Sequence, residues 1–285
     1  MAVVNFVPDI WSSRILMNLS RLSVAAGIVN RDYEGDIANA GDSVKITNFV
    51  DPTIGNYTAH TDITVEDIDD ATQSLLINQQ KYFAFELDDI ERAQSVNGGT
   101  VMNTATTRAS YGLKNVLDAF LLTTMAAGAS ASAPDHQIAE ATISTPAAAY
   151  EALVDWGVVL DNADIPEEER WVVVTPAFHG KLLKDDRFVK AGDDASAAVR
   201  QNGRVGEAAG FTVHKSNNLP DGPGAGLGKS MIAGYRGATT LAEQVVSVEG
   251  ARMEKRFADM VKGLHVYGAK VTRPTGLVVA DVIVS

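Results

Sequence analysis

Between Thr100 and Ala127 apolar residues recur every four positions: Val101, Ala105, Ala109, Leu113, Leu117 and Leu121. Val116 and Phe120 widen the stripe, so Leu113, Val116, Leu117, Phe120 and Leu121 fall at the spacing of one apolar helical face. No proline interrupts it. Gly98-Gly99 and Gly128 bound it, and Thr100 suits an N-cap. At 1.5 Å per residue the helix runs roughly 40 Å, long beside the usual three turns. The small residues of its first half let a neighbour pack close. It is either a central core helix or a spine on which sheets and neighbouring subunits hang.

The rest of the chain alternates between strand and helix patterns. Pro8 to Leu22 reads as a short amphipathic helix with Trp11, Ile15, Leu19 and Leu22 on one stripe. Ser43 to Phe49 alternates as a strand. A polar, acidic excursion from Asp51 to Asp70 follows, then a second strand from Thr72 to Leu87 with Leu75, Ile77, Phe83, Phe85 and Leu87 on one side. Together they predict a long hairpin too poor in large apolar groups to form its own core, so its strands must bury elsewhere. Asp88 to Ser95 is predicted as a short helix. Ala127 to Pro134 is small and polar, as at a domain boundary.

An α/β unit follows. Thr145-Pro146 and Thr175-Pro176 each pair an N-cap with a proline at the first helical position. Trp171 to Val174 is a continuous apolar run, predicted as a strand buried on both faces. Asp185 to Asn202 is polar and loop-rich. Phe211 to His214 and Met231 to Gly234 are strands around a glycine–proline loop, Leu219 to Gly228. From Val245 to Ser285 the chain is mostly extended.

Composition narrows the chemistry. The net charge of −12 disfavours tight binding to nucleic acid, because phosphate contacts need Lys and Arg. The absence of cysteine excludes disulfides, thiolate catalysis and zinc–thiolate sites, and fits a reducing compartment. The N-terminus lacks a signal-peptide pattern, and no run approaches the roughly 18 apolar residues of a membrane span.

Candidate motifs are few. Gly222 to Ser230 resembles a phosphate-binding loop, but Pro223 stands where the motif needs glycine, and a strand rather than a helix is predicted after it. His60, His136, His179, His214 and His265 show no metal-ligand spacing. Glu66, Asp67, Asp69 and Asp70 lack the glycine and terminal glutamate of a calcium loop; they read as a solvated or partner-facing acidic patch. No carboxylate pair or serine setting argues for catalysis. The expectation is no enzyme, no cofactor and no metal.

The order of parts, with several short segments, carries a resemblance. These are Pro8-Asp9-Ile10-Trp11-Ser12, Gly41-Asp42-Ser43-Val44, Gln79 to Phe85, Trp171 to Pro176 followed by Leu182, Gly203 to Val213, and Val266 to Val271 before Arg273-Pro274. The chain resembles the major capsid proteins of tailed double-stranded-DNA bacteriophages, with the HK-ninety-seven type of shell fold. That resemblance implies an α+β fold with an N-terminal arm (1–41), an extended E-loop hairpin (42–87), a peripheral domain with the spine helix (88–130 and 247–285) and an axial α/β domain (131–246). It implies self-assembly as hexamers and pentamers into an icosahedral shell around double-stranded DNA, touched only weakly. Further partners would be a separate scaffolding protein, a portal and a decoration protein, with no membrane. The shell would be assembled in the bacterial host cytoplasm and located in the virion capsid. Trp11, Asp62, Glu66, Asp67, Asp69 and Asp70 are the candidate inter-subunit contacts. Some family members cross-link through an E-loop lysine; Ile46 to Gln80 contains none, so the shell is expected to be non-covalent.

Two other readings stay open at this level. One is an encapsulin-like compartment built on the same fold. The other is a soluble nucleotide-binding enzyme using the Gly222–Ser230 loop.

Overall fold

The computed structural model describes residues 24–32, 43–49, 56, 70–88, 100–129, 136–185, 206–224, 228–253 and 256–285. The expected helices over Pro8–Leu22 and beyond Asp88, and the polar loop after Asp185, lie outside these residues.

The long stripe forms helix α1, Thr100–Gly128. Leu113, Leu117, Leu121, Leu122 and Met125 are buried along it, and Phe120 meets Tyr267 edge-on with ring centroids 5.3 Å apart. Val116, expected to widen the apolar face, is instead 43% exposed. The buried stripe drifts around the helix toward its C-terminus, where Leu122 and Met125 take over, so Val116 falls outside it. The helix ends against Val271: a Cβ at Gly128 would lie 2.8 Å from that residue's Cβ.

The described strands form three sheets. Strands β1 (Ser43–Phe49) and β2 (Asp70–Leu76) form an antiparallel pair of their own. Strands β3 (Gln79–Asp88), β10 (Ala258–Val271) and β9 (Thr239–Arg252) form an antiparallel sheet in that order. The six-stranded mixed sheet runs β4-β11-β8-β5-β7-β6, where β4 is Gln137–Ile143, β5 Arg170–Val174, β6 Glu207–Ala208, β7 Phe211–Lys215, β8 Lys229–Tyr235 and β11 Leu277–Val284.

The single strand expected over Thr72–Leu87 is therefore two strands in different sheets. The apolar alternation runs through the break because Leu75 and Ile77 both bury in one small cluster with Ala242 and Val266. Strand β4 was not anticipated, since its side chains are mostly exposed and its sequence lacks an apolar period. The expected domain limits at 87/88 and 246/247 fall inside β3 and β9, and β11 pairs with β8 and β4 rather than with β10.

Two helices cover the larger sheet. Helix α2, Pro146–Asn162, begins at Thr145, whose hydroxyl accepts the Ala148 N–H. Helix α3, Pro176–Leu182, begins at Thr175, whose hydroxyl accepts the Phe178 N–H. The predicted N-cap and proline pairs thus start both helices. All five residues of β5 are buried, as its continuous apolar run predicts. Ala209 and Gly210 form the two-residue turn between β6 and β7, both with positive φ (50° and 79°), the backbone that suits a tight hairpin.

His179 sits buried in the last turn of α3, where desolvation first and the Lys215 charge second lower its pKa; burial also lowers that of His214. The folded state therefore holds these imidazoles neutral more strongly than the unfolded chain does. Their contribution to stability is complete above the ordinary value of 6.5 and is lost as pH falls from there toward the lowered folded-state values. Melting temperatures measured from pH 7.5 down to 5 should decline, and His179→Gln should flatten that decline.

Candidate assembly surfaces

The β1–β2 hairpin is joined to the rest of the described structure along the second half of β2. Ser43 pairs with Leu76, and the far end pairs Phe49 with Asp70. Lys270 Nζ donates to the Ser74 carbonyl near the base at 3.0 Å, and Gln73 Nε2, halfway along β2, donates to the Thr272 carbonyl at 3.4 Å. The link from β2 to β3 crosses directly over Gly268. A Cβ there would collide with the Leu76 carbonyl oxygen and lie 2.9 Å from Ile77 Cα. Only glycine lets the hairpin leave at this angle. Of the candidate contact residues, Asp70 opens β2; Trp11, Asp62, Glu66, Asp67 and Asp69 lie outside the described residues.

The β3-β10-β9 sheet has one face on the protein. Phe83 and Phe85 stack at 6.2 Å and pack against the main core. Its other face is open among the described residues. Tyr82 is 79% exposed there, in a shallow groove with Ala84, Met260, Leu264 and the stems of Glu249 and Lys262. Phe257, after β9, is 78% exposed. Ion pairs rim this region: Lys262–Glu249 at 2.7 Å, Arg256–Glu86 at 2.8 Å and Arg252–Asp259 at 3.6 Å. Such exposed pairs are each worth about 0–1 kcal/mol, so they shape the surface more than they stabilise it. Tyr82 was legible in principle. It is a large aromatic residue on the otherwise polar side of the alternation.

An N-terminal strap, residues 24–32, binds this sheet to α1. Its single 3-10 turn, Ala25–Gly27, presents the N–H groups of Val24 and Ala25 to Asp118 at 3.3 and 3.1 Å. Asn30 then pairs with β9, donating to Thr239 O and accepting from Leu241 N, both at 2.9 Å. Arg31 forms an ion pair with the buried Glu243, whose other oxygen faces His265 Nε2 at 3.4 Å. The Tyr267 ring lies tilted against His265 with centroids 5.0 Å apart, and burial raises its phenol pKa. Buried polar groups here lock the strap onto helix α1 and β9.

Among the described residues the glycine loop does not build a nucleotide site. Lys229 and Ser230 open strand β8 rather than a helix, and Lys229 Nζ is held by Asp221 at 2.6 Å. Among the described residues no three or more His, Cys, Asp or Glu side chains form a metal-binding group, and no helix is long and apolar enough to cross a membrane.

The phage capsid protein family profile matches residues 72–280, most of the chain. The chain belongs to the phage capsid protein family. No curated protein matches its sequence. Its fold is similar to the solved structure of Mycobacterium phage Che8, with a TM-score of 0.71 and 28% identity over 98% of this chain and 94% of that one. The capsid of cyanophage P-SCSP1u matches with a TM-score of 0.68 and 17% identity, over 90% of this chain and 86% of that one. A virus-like particle from Pyrococcus furiosus shares the fold more distantly, with a TM-score of 0.54 and 12% identity over 96% and 99%.

The α+β architecture is thus the tailed-phage capsid fold, and the chain is a shell-forming major capsid protein located in the virion capsid. For such a protein the relevant site is surface. A capsid chain must carry elements that are incomplete alone, and both the separate two-stranded hairpin and the aromatic-bearing sheet face have that character.

Proposed function

We propose that the β1–β2 hairpin is the E-loop, that it reaches over a neighbouring copy, and that this contact drives assembly into hexamers and pentamers of an icosahedral shell. The observation that carries the reading is a two-stranded sheet of its own, which pairs with no other strand among the described residues and meets the rest of them through β2, at Gln73, Ser74 and Leu75. A two-stranded ribbon is marginal by itself in water, so its outer length gains stability from another subunit. The acidic candidate contacts Asp62, Glu66, Asp67, Asp69 and Asp70 suit a basic partner surface, and Trp11 suits an arm contact. In this reading the β3-β10-β9 sheet and α1 form the peripheral domain. The six-stranded sheet with α2 and α3 forms the axial domain, whose exposed Val154 and Val158 on α2 suit contacts around a capsomer centre.

The shell encloses double-stranded DNA, and a net charge of −12 favours a wall to which packaged DNA does not adhere. The protein acts without catalysis and without a cofactor. It assembles in the host cytoplasm with separate scaffolding and portal proteins and a decoration protein. Negative-stain electron microscopy of the purified chain, alone and with its scaffolding protein, tests the reading. Closed particles, tubes or capsomer rings are expected. A monodisperse monomer under both conditions overturns it.

A further inference from the structure

Glu243 on β9 pairs across the strands with Tyr267 on β10, and His265 lies two residues before Tyr267. The three side chains therefore share the face that meets α1. All are buried. One Glu243 oxygen is met by Arg31 of the strap. The other stands 3.4 Å from His265 Nε2 without a hydrogen bond. Both ring nitrogens of His265 and the Tyr267 hydroxyl also lack a hydrogen-bond partner among the described residues. Buried polar groups left in that state are costly, and a role in core packing does not account for them.

The groups that face this cluster fix its response to a proton. Arg31 approaches from the strap and is partly exposed. Lys81, the register partner of His265 on β3, is exposed, and Val245 opposes His265 on β9. From α1, Phe120 meets Tyr267, while Asp118 accepts the Val24 and Ala25 N–H groups. Burial raises the Tyr267 pKa, so the phenol keeps its proton at neutral and acid pH. With the strap in place, Arg31 neutralises Glu243, and a proton on His265 adds a second buried cation beside that pair. With the strap away, Glu243 has lost Arg31 and water reaches the imidazole. Both changes favour the charged ring. The released state therefore binds more protons than the strapped one, and acid favours release.

We propose that the strap is a proton-coupled latch. It leaves β9 as His265 takes up a proton from water and replaces Arg31 as the counter-ion of Glu243. Release also unpairs the Thr239 carbonyl and the Leu241 N–H, which Asn30 holds in the closed state. It thus opens a strand edge of the kind that pairs with other strands. Sequence reading misses the latch because Arg31, Glu243 and His265 are far apart in the chain and belong to no common motif.

Hydrogen–deuterium exchange of the full-length unassembled chain tests this, with rates corrected for the intrinsic pH dependence of amide exchange. The Asn30 and Leu241 amides report the strap, and the amides of β5 report global unfolding. Strap opening should grow about tenfold or more from pH 8 to pH 5.5, within the limit of about tenfold per pH unit that one coupled proton sets. It should run ahead of opening at β5. Arg31→Met should open the strap at pH 8 and remove most of the pH slope. His265→Gln should remove the slope while the strap stays closed. Wild-type opening that is independent of pH, or that occurs only together with β5, overturns the proposal. So does a full slope in either variant, because the proton is then taken up elsewhere, on Glu243 for instance, or without the departure of Arg31. If His265→Gln does not fold, the comparison of wild type with Arg31→Met decides.

Discussion

Phe178→Ala is expected to lower the unfolding free energy of the unassembled chain by about 3–5 kcal/mol. The ring is fully buried at the start of α3 and stacks on Trp156 of α2, with centroids 5.9 Å apart and planes within 16°. It therefore joins both helices to the core that covers β5. Removing it takes away the buried area and leaves a cavity that Trp156, 3% exposed and packed in the same cluster, cannot collapse to fill. Total stabilities of about 5–15 kcal/mol are usual, so the loss is a large fraction of the whole. Urea unfolding measures it, with an unchanged denaturant slope showing that the denatured state is the same. Phe178→Leu, which retains most of the volume, should cost much less. A loss below about 1 kcal/mol for the alanine variant would mean that α2 and α3 do not meet through this ring.

That region was also the most legible in the sequence, for a local reason. Thr145-Pro146 and Thr175-Pro176 specify helix starts within four residues, and Trp171–Val174 is short, apolar and bounded. Helix α1 was legible because its period persists over many turns. What failed was pairing. The alternation through Leu75 and Ile77 continues across a change of sheet, because both residues point into the same small cluster with Ala242 and Val266. A period of two records which side is buried and says nothing of which strand lies alongside. For the same reason the sheet that receives β11 could not be read from its apolar run. Strand β4, an exposed edge, has no apolar period to read.

The candidate site divides along the same line. The hairpin was visible as two strands around a polar excursion, and its poverty in apolar residues already implied an outside partner. The devices that orient it were not. Gly268 matters only because Leu76 and Ile77 cross over it. Asp118 reads as an ordinary helical carboxylate until the strap brings the N–H groups of Val24 and Ala25 to it. Glu243 finds Arg31 only through the pairing of Asn30 with β9. Each depends on a contact distant in sequence, which composition and spacing do not encode.

The hairpin provides the second large effect. Excising residues 45–74 and joining Val44 to Leu75 through Asn-Gly should abolish particle formation while leaving the rest of the fold intact. Val44 and Leu75 are direct cross-strand partners, about 5 Å apart at their Cα atoms, a gap that a two-residue turn closes. Leu75 and Ile77 remain to fill their cluster, and the hydrogen bonds of Gln73 to Thr272 and of Lys270 to Ser74 are lost, so the melting temperature of the unassembled chain should fall only slightly. A narrower change separates presence from direction. Gly268→Val keeps every hairpin residue but drives a side chain into the Leu76 carbonyl and the Ile77 backbone, which must shift the base of the ribbon. If the hairpin acts by reaching a set position on a neighbour, this variant should also fail to close shells and give aberrant or open particles. If only the presence of an acidic ribbon mattered, Gly268→Val would assemble normally and the excised chain alone would fail. Closed shells from the excised chain would remove the hairpin from assembly altogether and leave the Tyr82 face of the β3-β10-β9 sheet to be tested as the principal contact.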